Sequence, residues 1–269
     1  LIGLSGGIDS ALSAVVAVDA LGADLVKLVL MPSPFTSQES IYDAETIAQQ
    51  LCCKLRTIPI DPAMEAFDSM LSKTFANQKK NETEENIQAR TRGIILMALS
   101  NKFGHMVLST GNKSEMSVGY ATLYGDMCGG YSVLKDVYKT KVFELAIWRN
   151  RLKPDDTLGP EANGDGSIIP QNVITKPPTA ELKFDQTDQD SLPPYDELDD
   201  ILKCLIEEEM SLNNIADQGY NLETADKVRY MLNRAEYKRR QAPPGVKITR
   251  RSFGRDRRYP LTNQFTDKI

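Results

Sequence analysis

The stretch Leu1-Ile2-Gly3-Leu4-Ser5-Gly6-Gly7-Ile8-Asp9-Ser10, followed by the apolar run from Ala11 to Leu21, decides the fold. Residues 1–4 read as a strand, Gly6-Gly7 as a tight turn, and 11–21 as a helix that Gly22 ends as a natural C′ residue. Glycines let the backbone approach a ligand closely, and a helix start aims free N–H groups at it. Together with the helix dipole this makes an anion site suited to phosphate. Ser5 and Ser10 add hydroxyl donors. Asp9 would be repelled by phosphate unless a cation lay between them, which assigns it to Mg²⁺. No Lys follows the glycines as in a Walker A loop, and the dinucleotide pattern G-x-G-x-x-G is absent.

Outward from this unit, strands and helices alternate. Leu25 to Met31 reads as a buried strand, 38–52 as a helix and 54–60 as a strand. Helices are predicted over about 61–75 and 83–103, and His105 to Thr110 reads again as a strand. The alternation predicts an α/β fold, an open parallel sheet with helices on both faces (Rossmann-like), with its ligand at the carboxyl ends of the strands. We expect a single domain over 1–269. Its α/β core covers 1–150, a polar, Pro- and Gly-rich mobile segment covers 151–194, and helices at 195–209, 211–218 and 222–236 lead into a basic tail.

Composition removes several classes of function. No apolar run approaches the roughly 20 residues that span a bilayer, and no secretory leader opens the chain. Cys52, Cys53, Cys128 and Cys204 have no metal-ligand spacing, and free thiols point to the cytoplasm. His105 is the only histidine and opens an apolar strand, which argues against a Ser-His-Asp triad or a histidine-rich zinc site. The net charge is −5, yet from Arg234 onward eleven Lys/Arg face three acids, giving a tail of +8 on a body of −13. Such a tail seeks an anionic partner: a nucleic acid, a nucleotide, or the acidic body itself.

The block Ser5-Gly6-Gly7-Ile8-Asp9-Ser10 resembles the SGGxDS pyrophosphate loop of the ATP pyrophosphatases, the adenine nucleotide alpha hydrolase-like superfamily. Leu108-Ser109-Thr110-Gly111-Asn112-Lys113-Ser114-Glu115 and Gly119 to Gly130 (GYATLYGDMCGG) are similar to motifs of its NAD synthetase members. So are NIQARTRG, KPPTAEL with QTDQD, and the terminal RRSFGRDRRYPLTN. These blocks span nearly the whole chain in one order.

This resemblance implies an ATP-dependent ligase that turns the carboxylate of deamido-NAD into the amide of NAD through an acyl-adenylate, with ammonia as nucleophile and AMP and pyrophosphate as products. It implies ATP contacts from Gly3, Leu4, Ser5, Gly6, Gly7, Ile8, Asp9, Ser10, Thr110 and Lys139, and Mg²⁺ on Asp9 and Glu115. Asp9, Lys113 and Lys139 are the implied catalytic residues, the two lysines offsetting developing negative charge. Deamido-NAD would meet Asn86, Arg90, Glu115, Tyr120, Ala121, Thr122, Leu123 and Lys238. The resemblance further implies a homodimer with the helix around Arg90 near the interface, and the basic ending is most similar to the glutamine-dependent branch. That branch carries an N-terminal amidase as its ammonia source. The segment around 155–190 is expected to close over the site and keep water from the adenylate. Two rivals stand against this reading: a tRNA-modifying ligase, disfavoured because no nucleic-acid module is recognisable, and a non-catalytic nucleotide-binding domain.

Overall fold

The sheet grows outward from its first strand. In the computed structural model, which describes residues 1–162, 168–184 and 186–262, β1 (Ile2–Gly3) runs into α1 (Ile8–Leu21) through the glycine turn. A short 3₁₀ turn (Ala23–Leu25) leads to β2 (Lys27–Leu30), α2 (Gln38–Gln50) and β3 (Lys54–Thr57). Two helices follow, α3 (Asp61–Leu71) and α4 (Glu82–Phe103), before β4 (Leu108–Ser109), α5 (Lys113–Val118), β5 (Tyr131–Ser132) and α6 (Lys139–Arg151). The strands lie in the order β3-β2-β1-β4-β5, all parallel, with Ile2 beside both Leu28 and Leu108. The chain builds one half of the sheet to the left of β1 and the other to its right. Its switch point therefore lies between β1 and β4, where open α/β sheets bind ligands.

Side-chain alternation covers both faces. Ile2, Leu4, Leu28 and Leu30 pack against α1, α2 and α6 in the largest core, while Val29 and Met31 face Ile95, Leu96 and Leu99 of α4. Each fully buried aliphatic side chain of this kind contributes roughly 1.5–3 kcal/mol. Local signals set the helix ends. Asn81 and Glu84 form a capping box that starts α4, and Gly104, at φ 70°, ends it in the left-handed conformation.

Beyond α6 come the short α7 (Gln171–Thr175), a 3₁₀ turn (Asp188–Asp190), α8 (Tyr195–Ile206), α9 (Leu212–Asp217), α10 (Leu222–Arg234) and α11 (Glu236–Arg239). Helices α8 to α10 build their own core from Leu198, Ile201, Leu202, Ile215 and Val228, joined by Val118 of α5, Tyr138 and Phe253. Short α5 thus lies between the sheet and this helical unit.

One expected element is shorter than the sequence suggests. The strand expected over 105–110 pairs only at Leu108–Ser109, because His105 N–H closes the end of α4 on Ser100 O. Described residues of the segment expected to be mobile over 151–194 reach the core. Ile168, Ile169 and Val173 enter the sheet core, and the amide of Asn150 clamps Ile169 at both its N–H and its C=O. The part of that expectation falling on 163–167 and 185 lies outside the described residues. The basic tail is partnered by the chain's own acids: Arg239 and Arg240 pair with Glu236 and Lys247 with Asp256, all within the tail, and Arg251 pairs with Glu209 of the body.

Candidate active site

At the switch point, the carboxyl ends of β1 and β4 open into a cavity of about 300 Å³. Its floor is the glycine turn. Gly6, at φ +82°, lies so close to α2 that a Cβ there would come within 2.2 Å of Ser40 O, so the turn admits no side chain. The loop is pinned internally. Ser10 Oγ donates to Gly7 O and accepts Ser5 N–H, while Ser5 Oγ accepts Gly7 N–H. Ser10 thereby acts first as a staple of the loop. Helix α1 starts at this turn without a side-chain cap, leaving its N-terminus for an anion.

Asp9, in the first turn of α1, meets residues more than 100 positions away. Its Oδ1 accepts Asn112 Nδ2–H at 2.8 Å, and its Oδ2 lies 2.5 Å from Lys139 Nζ. The same ammonium reaches Glu115 Oε1 at 2.9 Å and lies 5.1 Å from the centre of the Tyr195 ring. Burial alone would lower the Lys139 pKa. The two carboxylates outweigh it and hold the ammonium charged well above its ordinary range. Burial raises the Glu115 pKa; Lys139 opposes the rise, and the charges of Asp9 and Asp188 add to it.

The helix starts that place these groups are fixed from outside. Asn112 caps α5 by accepting Glu115 N–H at 2.9 Å with Oδ1, while its Nδ2 holds Asp9. Helix α6 has no side-chain cap of its own. Its first N–H groups go instead to Ser114 Oγ, which accepts from Lys139 N at 2.8 Å, and to Asp199 Oδ2, which accepts from Thr140 N at 2.8 Å. Asp199 belongs to α8, so the helical unit sets the backbone that carries Lys139.

The cavity brings together Gly3, Leu4, Ser5, Gly7, Ile8, Asp9 and Ser10 with Thr110, Glu115, Tyr120, Ala121 and Lys139. Gly6 lies behind it, against Ser40. Asn86, Arg90, Thr122, Leu123 and Lys238 form a second cluster along the loop 119–123, which edges the cavity. There Thr122 Oγ1 donates to Asn86 Oδ1, Arg90 Nε to Leu123 O, and Lys238 Nζ to Gly119 O and Ala121 O.

Lys113 departs from expectation. Its ammonium does not reach the cavity. It is fully buried, 2.6 Å from Glu207, 2.9 Å from Asp136, and bonded to Thr249 Oγ1 and Arg251 O between the rings of Tyr138 and Phe253. The buried Asp136 needs a cation, and α5 directs Lys113 to it. Lys113 ties the tail to the body, and Lys139 is the lysine of the site.

Sequence reasoning assigned no role to Asn112, Arg92 or Asp188, although the motif blocks contain them, and did not single out Tyr195; the wall formed by residues 176–182 is the KPPTAEL block. The N-x-x-E spacing of Asn112 and Glu115 was a legible cap signal. Arg92 lines the cavity and donates from Nε to Met31 O; burial lowers its pKa to about 10, so it stays charged at neutral pH. Lys176 pairs with Asp43 at 2.8 Å, and Glu181 accepts the hydroxyls of Ser37 and Ser40, fixing that wall to α2. Asp126 reaches the cavity deep in the cleft, where burial raises its carboxyl above the usual range; Thr122 N–H and Lys238 limit the rise.

A parallel sheet with an uncapped helix start behind a glycine turn, and a Lys-bridged carboxylate pair beside it, gives an α/β protein of the adenine nucleotide alpha hydrolase type. Residues 1–242 match the family model of NAD synthase, and the chain belongs to that family of carbon–nitrogen ligases. It is 52% identical over 98% of its length to a glutamine-dependent NAD(+) synthetase of Xanthomonas campestris, of which it covers 46%. A glutamine-dependent NAD+ synthetase from Acinetobacter baumannii, solved in complex with ADP, matches all of the chain with 46% of its own length, at 47% identity and TM-score 0.60. An NMN synthetase from Francisella tularensis matches 88% of the chain with 84% of its own, at 28% identity and TM-score 0.70. The chain spans about half the length of the curated relatives it matches. Among the described residues, no helix is long and apolar enough to cross a membrane.

Proposed function

We propose that this chain is the amide-forming part of a glutamine-dependent NAD synthetase, using ATP to convert deamido-NAD to NAD. The observation that carries the reading is the Lys139 ammonium held between Asp9 and Glu115 beside the glycine turn. A carboxylate is a poor electrophile. Its oxygen attacks the α-phosphorus of ATP, the bond to the β-phosphate bridging oxygen breaks, and pyrophosphate leaves. Nitrogen then attacks the acyl carbon, AMP leaves with the C–O electron pair, and the nitrogen gives up a proton.

The protein's part is positioning and charge. The N–H groups after Gly7 face the departing pyrophosphate, Lys139 offsets the negative charge that develops, and Thr110 and Arg92 line the cavity that holds the nucleotide. The wall 176–182 restricts water at the adenylate. Asp9 and Glu115 supply hard oxygens, which suits Mg²⁺. Among the described residues no group of three or more such side chains gathers, so the ion would complete its shell from phosphate oxygens and water. Bound there, Mg²⁺ would neutralise phosphate charge. The exposed Ile94 and Met97 of α4, beside Arg90, are the face we assign to a homodimer. Cytoplasmic location, and ammonia delivered by an amidase, belong to the same proposal.

A second reading has support from the likeness to an NMN synthetase, which favours the mononucleotide as substrate. The test compares kcat/KM for deamido-NAD and for nicotinate mononucleotide with ammonium and Mg·ATP. A preference of tenfold or more for deamido-NAD upholds our reading; the reverse preference replaces it with the second.

A further inference from the structure

Lys139 is the first residue of α6, so the place of its ammonium depends on how that helix begins. Helix α6 has no side-chain cap of its own and no acid in its first turn. Its opening N–H groups have no partners inside the helix. Two side chains from other elements supply them. Ser114 Oγ accepts Lys139 N–H at 2.8 Å, and Asp199 Oδ2 accepts Thr140 N–H at 2.8 Å. Both side chains are fully buried, and neither lines the cavity.

The two are also joined to each other. Ser114 Oγ donates to Asp199 Oδ1. A serine hydroxyl carries one proton, so with that proton committed to Asp199 the oxygen offers only lone pairs to Lys139 N–H. Asp199 therefore sets the direction of the Ser114 hydroxyl as well as holding Thr140. Among the described residues no Lys or Arg forms an ion pair with Asp199. The partially positive N-terminus of α6 offsets its charge instead. Ser114 also stands directly before Glu115 in α5. Successive residues thus hold Lys139 at both ends, its backbone N–H on Ser114 and its ammonium on Glu115 at 2.9 Å, while Asp9 takes the ammonium at 2.5 Å.

We propose that Asp199 and Ser114 are positioning residues of the amidation site that act through Lys139. They fix the start of α6 so that its ammonium meets Asp9 and Glu115 together. The inference rests on the proposed function, in which Lys139 offsets developing charge. It extends the site to a buried carboxylate of α8 that touches no reacting group.

Two measurements test it. In crystals of Ser114→Ala the Lys139 ammonium is expected to leave hydrogen-bond distance of Asp9 or Glu115. An ammonium still seated on both acids overturns the proposal without reference to activity. The second is a double-mutant cycle on kcat for ammonium-dependent turnover. Ser114→Ala is expected to lower kcat at least tenfold, with the ATP KM within threefold of wild type. Asp199→Asn, whose one amide oxygen can serve Ser114 or Thr140 but not both, is expected to do the same. In a Lys139→Met background either change should lower kcat less than twofold, because the group through which they act is gone. Equal falls in both backgrounds, or no fall where Lys139 is present, overturn the proposal. Failure of both variants to fold does so too, since the pair would then be structural only. Wild type without turnover, or Lys139→Met with wild-type kcat, would instead strike the proposed function, and the crystal result stands apart from either.

Discussion

Asn112 holds Asp9: its side-chain amide donates to the Asp9 carboxylate at 2.8 Å while its carbonyl oxygen caps the helix that carries Glu115. One side chain therefore fixes both acids that flank Lys139. Asn112→Ala is expected to lower stability by about 2 kcal/mol, from the lost cap and a carboxylate oxygen deprived of its donor. Asn112→Asp keeps the cap but sets a carboxylate against Asp9. Turnover in Asn112→Asp should fall at least as far as in Asn112→Ala, although urea unfolding should show it the more stable of the two. Equal activity of Asn112→Asp and wild type would contradict this.

Lys139 is assigned the charge-offsetting role. Lys139→Met should reduce kcat by about 10²–10³-fold, the range for removal of one preorganised electrostatic group. ATP binding by calorimetry should weaken far less. A kcat within threefold of wild type would remove Lys139 from the mechanism.

Lys113 is expected to behave differently despite its place in the same motif. Removing it leaves the fully buried Asp136 without its cation, so Lys113→Met should cost about 3–5 kcal/mol of stability. At temperatures where the variant remains folded, its ATP KM should stay within threefold of wild type. A normal melting temperature with lost turnover would restore Lys113 to the site.

The pH response follows from Glu115. Its raised carboxyl binds a proton more tightly when folded than when unfolded. The stabilisation from that proton is complete below the unfolded glutamate value of about 4.3 and is lost as pH rises through the raised folded value. Activity runs the other way, because only the ionised form pairs with Lys139 or Mg²⁺. The acid limb of kcat/KM should lie above the ordinary glutamate range, toward neutrality, and should vanish in Glu115→Gln. A limb that persists in that variant would belong to another group.

Much of this was open to a reader of the sequence. The glycine turn announces itself because strand, turn and helix are contiguous, and the alternation of elements fixes a parallel sheet. What local pattern could not supply was direction. Lys113 and Lys139 both follow motif residues, and only the packing of α8 and of residues 249–253 turns Lys113 away from the cavity. The contact of Asn112 with Asp9 joins positions far apart in the chain, and Asp188 meets Tyr195 only because a 3₁₀ turn precedes α8. The polar stretch 151–194 reads as loose by composition, and within its described part Ile168, Ile169 and Val173 lie in the core. Three apolar residues in a polar segment weigh little in an average and much in a core.

The most direct test of the central claim is turnover of this chain with Mg·ATP and deamido-NAD, with ammonium or glutamine as nitrogen source and all products quantified. We predict NAD, AMP and pyrophosphate in equal amounts with ammonium, and no NAD with glutamine unless an amidase is added. Folded protein that binds ATP yet forms neither NAD nor pyrophosphate with ammonium would contradict the account.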